Sequence, residues 1–426
     1  MFERHIYARL LESLNAFRVV YIPGARQAGK STLVRQIAKQ RGLHYVTLDD
    51  SGARLAAETD PEGFVAEFLE GGLALDEIQY VPNLVFAIKQ ASDLLPPNEK
   101  GKFLLTGSSD LFAGKQVSDR LPGHMETLTL YPLSQSELSD RSRNTLDQIV
   151  EGEFASVSGP TTRGALCQAI LAGGYPETQS MSPRARISWY RSYIDARILK
   201  DFEQVYSGRG DFVVVARALL DLLAGRCGNL LNFHNLANEL RIGDEKTKKM
   251  TAAFEQMFIV HRVNGYLKNR SKRLAVTSPK SHFVDTGLAC YLLGLRTREQ
   301  LVTSSHFGGL LENFVLMDLC KNAVFSEHEV DITHFRDNYQ REVDIVLEEP
   351  GGSVIGIEVK AAQSITKSDF KGLLALANYA GSRFSAGILL YSGDKVLPIK
   401  FGDFTFTAVP FASLYPQLLS PTPQIS

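Results

Sequence analysis

The chain has 426 residues, 44% hydrophobic and 22% charged, which excludes a disordered or fibrous polypeptide and gives length for about two to three domains. Lys and Arg number 46 against 47 Asp and Glu, a net charge of -1, so the molecule as a whole is no general nucleic-acid binder and any such surface must be local. Cys167, Cys227, Cys290 and Cys320 form no CxxC pair, which argues against a zinc site or disulfide framework; no apolar run reaches membrane-spanning length and MFERHIYARLLESL is broken by charges, so no membrane partner and a cytoplasmic location are expected.

From Phe17 to Leu130 short apolar runs alternate with helix-like stretches: FRVVYI, STLVRQIAKQ, LHYVTL, GGLALDE and GKFLLTGSS. β-branched and aromatic runs in that alternation predict a parallel α/β sheet covered on both faces. After LYPLSQSEL the chain reads as helical from about residue 140 to 228, a lid or connector broken at GGYP. From Asn232 two helices, NFHNLANEL and EKTKKMTAAFEQM, flank the turn RIGD, and Asn264-Gly265 after FIVHRV signals a hairpin. That order predicts a winged helix-turn-helix. LLENFVLMDLC, VDITHF, REVDIVLEE, SVIGIEVKA, KGLLALANYA and AGILLYSG then read as a second α/β unit with a hairpin at Pro350-Gly351-Gly352. The expected units are 1–140, 141–228, 229–300 and 301–426.

Between the first strand and its helix lies GARQAGKST: Gly24, Ala25, Arg26, Gln27, Ala28, Gly29, Lys30, Ser31 and Thr32. Gly24, Gly29, Lys30 and Ser31 fit G-x-x-x-x-G-K-[ST] in the strand-to-helix position where backbone N–H groups converge on a phosphate. Lys30 is expected to reach the β- and γ-phosphates of ATP and Ser31 to ligate Mg²⁺. LALDEIQ ends an apolar strand in Asp76-Glu77, and such a carboxylate pair is costly unless a cation uses it. Asp76 would hold the magnesium through its water shell and Glu77 would deprotonate the attacking water. Thr106 to Ser109, with Ser108 as the contact, lies where a γ-phosphate sensor would sit, although a plain Gly-Ser turn reads equally well. Arg120 is the candidate for the transition-state charge. An arginine supplied by a second copy would make the protein a homo-oligomer.

From Leu240 to Ser281 ten Lys or Arg stand against three acids, a local excess of +7. Lys246, Lys248 and Lys249 on the second helix and Lys268 to Arg273 on the wing are placed to meet DNA phosphates, unless they are a solvated face. In the last third, strand alternation puts Glu358 and Lys360 on one face, and hairpin pairing brings Asp344 beside Glu358. Adjacent carboxylates repel, and Mg²⁺ is the usual remedy, with the lysine activating water or holding a phosphate oxygen. Glu312 on LLENFVLMDL would complete the cluster. A salt-bridged edge strand is the alternative.

The series GARQAGKST, LDEIQ, LLTGSS, LYPLSQSEL, AGGYPE, PKSHFVDTGLA, LLENFV and EVDIVLEEPGGSVIGIEVK resembles bacterial and archaeal AAA-like P-loop ATPases that carry a C-terminal domain of unknown function, a winged helix combined with a fold similar to PD-(D/E)XK nucleases. The resemblance implies ATP binding by Gly24 to Thr32 with Asp76 and Glu77, and a nuclease-like site at Glu312, Asp344, Glu358 and Lys360. Relatives often carry Gly-Arg where this chain has Gly123-His124, so that arginine is absent here. Two functions follow as expectations: an ATPase that couples nucleotide state to a DNA-binding winged helix and an Mg²⁺-dependent nuclease, or a nucleotide-driven switch whose nuclease-like half only binds DNA or a protein.

Overall fold

The computed structural model describes residues 2–110, 125–206, 212–273 and 278–419. Five strands, β1 (Val19–Pro23), β2 (His44–Thr47), β3 (Leu73–Asp76), β4 (Phe103–Gly107) and β5 (Met125–Thr127), form one parallel sheet in the order β2-β3-β4-β1-β5. β1, β3 and β4 are buried at every position, as runs with apolar residues toward both faces require. On one face Val20, Ile22 and Leu104 pack against Leu33, Val34 and Ile37 of the helix Lys30–Arg41. On the other Tyr21, Leu75 and Leu105 meet Leu84, Val85 and Ile88 of the helix Leu84–Leu94. Because β4 lies between β1 and β3, Thr106 stands beside Ile22 and next to the strand that ends in Asp76.

Helices Arg163–Ala172, Pro183–Tyr193, Leu199–Val205 and Phe212–Ala224 follow, with a π-helical turn over Ile194–Ile198 between the second and third. Helices Phe233–Leu240 and Asp244–Gln256 precede the antiparallel pair β6 (Val260–Val263) and β7 (Lys280–Phe283). The tight turn expected at Asn264-Gly265 does not form. Asn264 accepts a hydrogen bond from the His334 amide (3.0 Å) and Gly265 bridges His334, so the chain runs to the next sheet before returning as β7.

That sheet has six strands in the order β12-β13-β11-β10-β9-β8: β8 (Asp331–Arg336), β9 (Glu342–Glu348), β10 (Val354–Val359), β11 (Phe384–Tyr391), β12 (Leu397–Phe401) and β13 (Phe404–Pro410). β8, β9 and β10 are antiparallel neighbours, and β11 joins β10 in parallel after the helix Lys371–Ala380. One face, with Val343, Val346 and Leu389, packs on Leu373 and Leu376 of that helix. The other, with Ile345, Ile357 and Leu390, joins a core that holds Phe314 and Val315 of the helix Phe307–Ala323 and extends through the preceding helices to Ala25 and Ala28 of the first loop.

Polar residues of three separate segments stitch these layers together. Asp285 accepts from the Gly174 amide (2.6 Å), the Leu288 amide (2.8 Å) and the Tyr190 hydroxyl (3.0 Å). Leu133 donates to the Gly174 carbonyl (2.7 Å) and the Gln135 amide to Asp318 Oδ1 (2.7 Å). LYPLSQSEL, AGGYPE and PKSHFVDTGLA thus meet at one buried junction, where each orphaned amide gains a partner.

Candidate nucleotide site and carboxylate cluster

The loop from Gly24 to Gly29 turns directly into the helix that starts at Lys30. A Cβ on Gly24 would come within 2.1 Å of the Leu130 carbonyl oxygen, and Gly29 holds φ at +99°, so side chains are excluded at both positions. Lys30 is buried and its Nζ donates to the Gly24 (2.8 Å) and Ala25 (2.9 Å) carbonyls. Burial pulls its pKa down to about 8, against the opposing pull of Glu77 and Asp76.

At the end of β3, Asp76 Oδ2 accepts from the Tyr45 hydroxyl (2.8 Å) and Oδ1 from the Thr106 hydroxyl. The same Thr106 oxygen accepts from the Glu77 amide (3.1 Å). Glu77 sits at φ +63°, in the left-handed region, a conformation that costs a non-glycine residue about 1–3 kcal/mol and must be held by its surroundings. Gln79 donates to Glu77 Oε2 and to Ser108 Oγ (2.9 Å), and accepts from the Ser108 amide (3.2 Å). Thr106 therefore organises the acid pair, while Ser108 is tied to Gln79. Arg120, Gly123 and His124 lie outside the described residues.

A cavity of about 680 Å³ opens over the loop, lined by Arg26, Gln27, Gly29, Lys30, Ser31, Thr32 and Glu77, and from the far side by Glu177, Arg197, Lys200 and Asp201. Arg26 pairs with Asp201, donates to the Tyr80 hydroxyl (2.9 Å), and its carbonyl accepts from the Tyr193 hydroxyl (3.2 Å). The helical segment is thereby latched to the loop. A second cavity of about 620 Å³ shares Gly29, Thr32 and Glu177 and adds Phe2, Tyr7 and Leu33. None of Asp201, Arg197 and Lys200 carries a sequence signal linking it to the loop; only the fold brings them there.

The carboxylates of the last third also converge. β9 and β10 pair with Ile345 opposite Ile357, which sets Asp344 beside Glu358. Asp344 Oδ2 accepts from the Val359 amide (2.9 Å), and Lys360 Nζ lies 2.9 Å from Glu358 Oε1. Burial, then the neighbouring Asp344 charge, push the Glu358 carboxyl up to about 8. Lys280 of β7, not foreseen as part of this group, places Nζ 2.9 Å from Glu312 Oε1 and 3.8 Å from Asp344 Oδ1. Burial alone would lower the Lys280 pKa, but the two carboxylates outweigh it and hold it above the ordinary lysine value. The available signal was a lone lysine opening the short strand KSHF inside PKSHFVDTGLA.

The basic stretch is less free than its charge count. Lys280 is buried in the cluster, Arg273 pairs with Glu348 and Asp331, Arg270 lies 3.1 Å from Glu348, and Arg262 pairs with Glu255. The segment Lys268 to Arg273, expected to be a wing, is docked on β8 and β9, so Arg270 and Arg273 meet carboxylates there. Lys248 and Lys249 are exposed on the helix Asp244–Gln256.

Comparison with known proteins gives three family matches along the chain. Residues 16–139 match the AAA domain family, residues 163–299 a domain of unknown function (DUF8612), and residues 307–414 another (DUF4143). An uncharacterized protein of Mycobacterium tuberculosis, Rv2008c, and its counterpart Mb2031c of Mycobacterium bovis are each 26% identical over 96% of this chain and 83% of theirs. Among solved structures, similarity is found to a Walker-type ATPase of Pyrococcus abyssi (14% identity, TM-score 0.37, 68% of this chain and 96% of that one). It is also found to AMPPCP-bound DnaA of Aquifex aeolicus (13% identity, TM-score 0.28, 59% and 86%). The chain carries a region that matches the AAA domain family and contains the G-x-x-x-x-G-K-[ST] loop, followed by regions that match families of unknown function.

Proposed function

We propose that the protein binds and hydrolyses ATP at the loop Gly24–Thr32 and passes nucleotide state to its helical and C-terminal parts as a switch. The observation that carries this is the Thr106 hydroxyl bridging Asp76 and Glu77 beside a cavity to which Arg26, Lys30, Arg197 and Lys200 bring cations for a phosphate, next to the carboxylates of Glu77, Glu177 and Asp201. In this reading the Lys30 ammonium leaves its loop carbonyls for the β- and γ-phosphates, Glu77 takes the proton of the attacking water, and the cavity lined by Phe2, Tyr7 and Leu33 takes the base. Ser31 and Asp76 supply the hard oxygen donors that suit Mg²⁺, whose contribution is to neutralise phosphate charge. Arg197 and Lys200 face the same cavity and take over the role given above to Arg120.

The latch between Arg26 and Asp201 supports transmission: a phosphate bound at the loop competes for Arg26 and releases the segment Leu199–Val205. The partner class is DNA, met by the exposed Lys248 and Lys249, and the docked wing favours a switch over a free nuclease. The test is ATP turnover with and without DNA, in wild type, Lys30→Ala and Glu77→Gln. Partner binding indifferent to nucleotide in all three would refute the switch. An active nuclease is the second reading, favoured by the convergence of Asp344, Glu358 and Lys360; DNA cleavage lost in Glu358→Ala and Lys360→Ala with ATP turnover intact would establish it. No described helix is long and apolar enough to cross a membrane; a cytoplasmic homo-oligomer remains part of the proposal.

A further inference from the structure

The second carboxylate cluster lies apart from the nucleotide loop and has its own cavity of about 260 Å³, reached past Gly228, His306 and Arg336. A divalent ion of the Mg²⁺ class takes about six oxygen ligands at roughly 2.0–2.1 Å. Glu358 Oε2 is buried with no hydrogen-bond partner among the described residues, but four other oxygens here are already engaged. Glu312 Oε1 meets Lys280 Nζ at 2.9 Å, Asp344 Oδ1 meets the same nitrogen at 3.8 Å, and Asp344 Oδ2 is taken by the Val359 amide at 2.9 Å. Glu358 Oε1 is taken by Lys360 at 2.9 Å. Among the described residues no three His, Cys, Asp or Glu gather as a metal site. The donor set as placed does not fit the magnesium expected at Asp344 and Glu358.

The lysine is not a stray surface group. Lys280 is 3% exposed. Its backbone pairs with Val263 across β6 and bridges Leu230 on the other side, while Leu231 donates to the preceding Pro279 carbonyl (2.8 Å). Chain on both flanks therefore fixes the Lys280 backbone, and with the side chain buried the ammonium rests between Glu312 and Asp344.

We propose that the resident cation of the Glu312 and Asp344 pair is the Lys280 ammonium, delivered by β7, and that it excludes a divalent metal from this position. The domain then keeps a nuclease-like arrangement in a metal-free form, because an ammonium neutralises the carboxylates and can meet a phosphate oxygen but does not generate hydroxide from bound water as a divalent ion does. The inference concerns this cluster alone and goes beyond the nucleotide reading.

The experiment uses the full chain without nucleotide, so the loop contributes no triphosphate-bound metal, and follows Mn²⁺ uptake by electron paramagnetic resonance. Wild type is expected to take up no Mn²⁺ that depends on Asp344. Lys280→Met is expected to gain one ion bound at least about tenfold tighter than to wild type, about 1.4 kcal/mol, and to lose it again when Asp344→Asn is added. Lys280→Gln, which keeps a donor for Glu312, is the second variant should Lys280→Met fail to fold. Uptake by wild type that Asp344→Asn abolishes overturns the proposal, as does a folded Lys280 variant with no gain.

Discussion

Replacing Thr106 by valine changes shape little and removes one hydroxyl that serves both acids of the nucleotide site. Thr106 is fully buried, Asp76 is 2% exposed and Glu77 7%. The hydroxyl donates to Asp76 Oδ1 and accepts from the Glu77 amide. A hydrogen bond to a charged group contributes about 1.5–3 kcal/mol, and a buried amide left without a partner costs about 1–3 kcal/mol. Asp76 keeps Tyr45, so the expected loss of stability is about 3 kcal/mol. In a unit of this size that lowers the melting temperature by about 6–12 °C. Function should suffer more than folding. Without the Thr106 oxygen the Glu77 amide loses its partner, leaving Gln79 on the carboxylate and the Tyr80 amide on the carbonyl, and in the proposed mechanism the left-handed Glu77 backbone relaxes and carries the carboxylate off the attacking water. Turnover should fall at least about a hundredfold, the usual contribution of a positioned base, while ATP affinity, set by the loop, stays within about threefold. Thr106→Ser retains the hydroxyl and should retain turnover. Melting curves, fluorescent-nucleotide titration and phosphate release measure the three quantities. A Thr106→Val protein that melts and turns over with wild type, or a Thr106→Ser protein equally impaired, refutes the reasoning.

With Lys30 pulled down to about 8 by burial, a bound triphosphate that favours its ammonium must bring a proton above that pH. As far as Lys30 is concerned, ATP affinity should therefore be flat below about pH 8 and fall about tenfold per unit above it up to the raised pKa of Lys30 in the complex; calorimetry in two buffers at about pH 9 should show a Lys30 proton uptake that is largely absent at about pH 7. Gly24→Ala drives a Cβ to within 2.1 Å of the Leu130 carbonyl, and should cost about 1–3 kcal/mol of stability together with nucleotide binding, read by melting and titration. Asp201→Asn removes the carboxylate partner of Arg26, both side chains being 16% exposed. It should cost about 1–3 kcal/mol after allowance for solvent and speed amide exchange over Leu199–Val205; unchanged exchange would show that the pair is no latch. Glu358 is raised to about 8 in the folded chain, so its contribution is present below the ordinary carboxyl value and lost as pH rises through 8. The stability of Glu358→Gln relative to wild type should accordingly grow between about pH 5 and pH 9, read from denaturation midpoints.

What was legible in the sequence was local. Nine consecutive residues, GARQAGKST, carry the phosphate loop because its geometry is a matter of backbone conformation over one turn, and the structure places Lys30 at the first position of a helix after a left-handed Gly29. Strand alternation likewise put Asp344 beside Glu358, since pairing through a short hairpin follows from period and loop length. What only the tertiary structure decided involves partners on separate elements: Thr106 between Asp76 and Glu77, Asp201 on Arg26, Arg270 and Arg273 on Glu348, and Lys280 on Glu312. Asn264-Gly265, which reads locally as a turn, was diverted to His334 by the adjacent sheet. Periodicity reports which face of an element is apolar, not which charged side chain from elsewhere in the chain will lie against it. That choice is made when the layers pack and each buried charge or amide must find a partner.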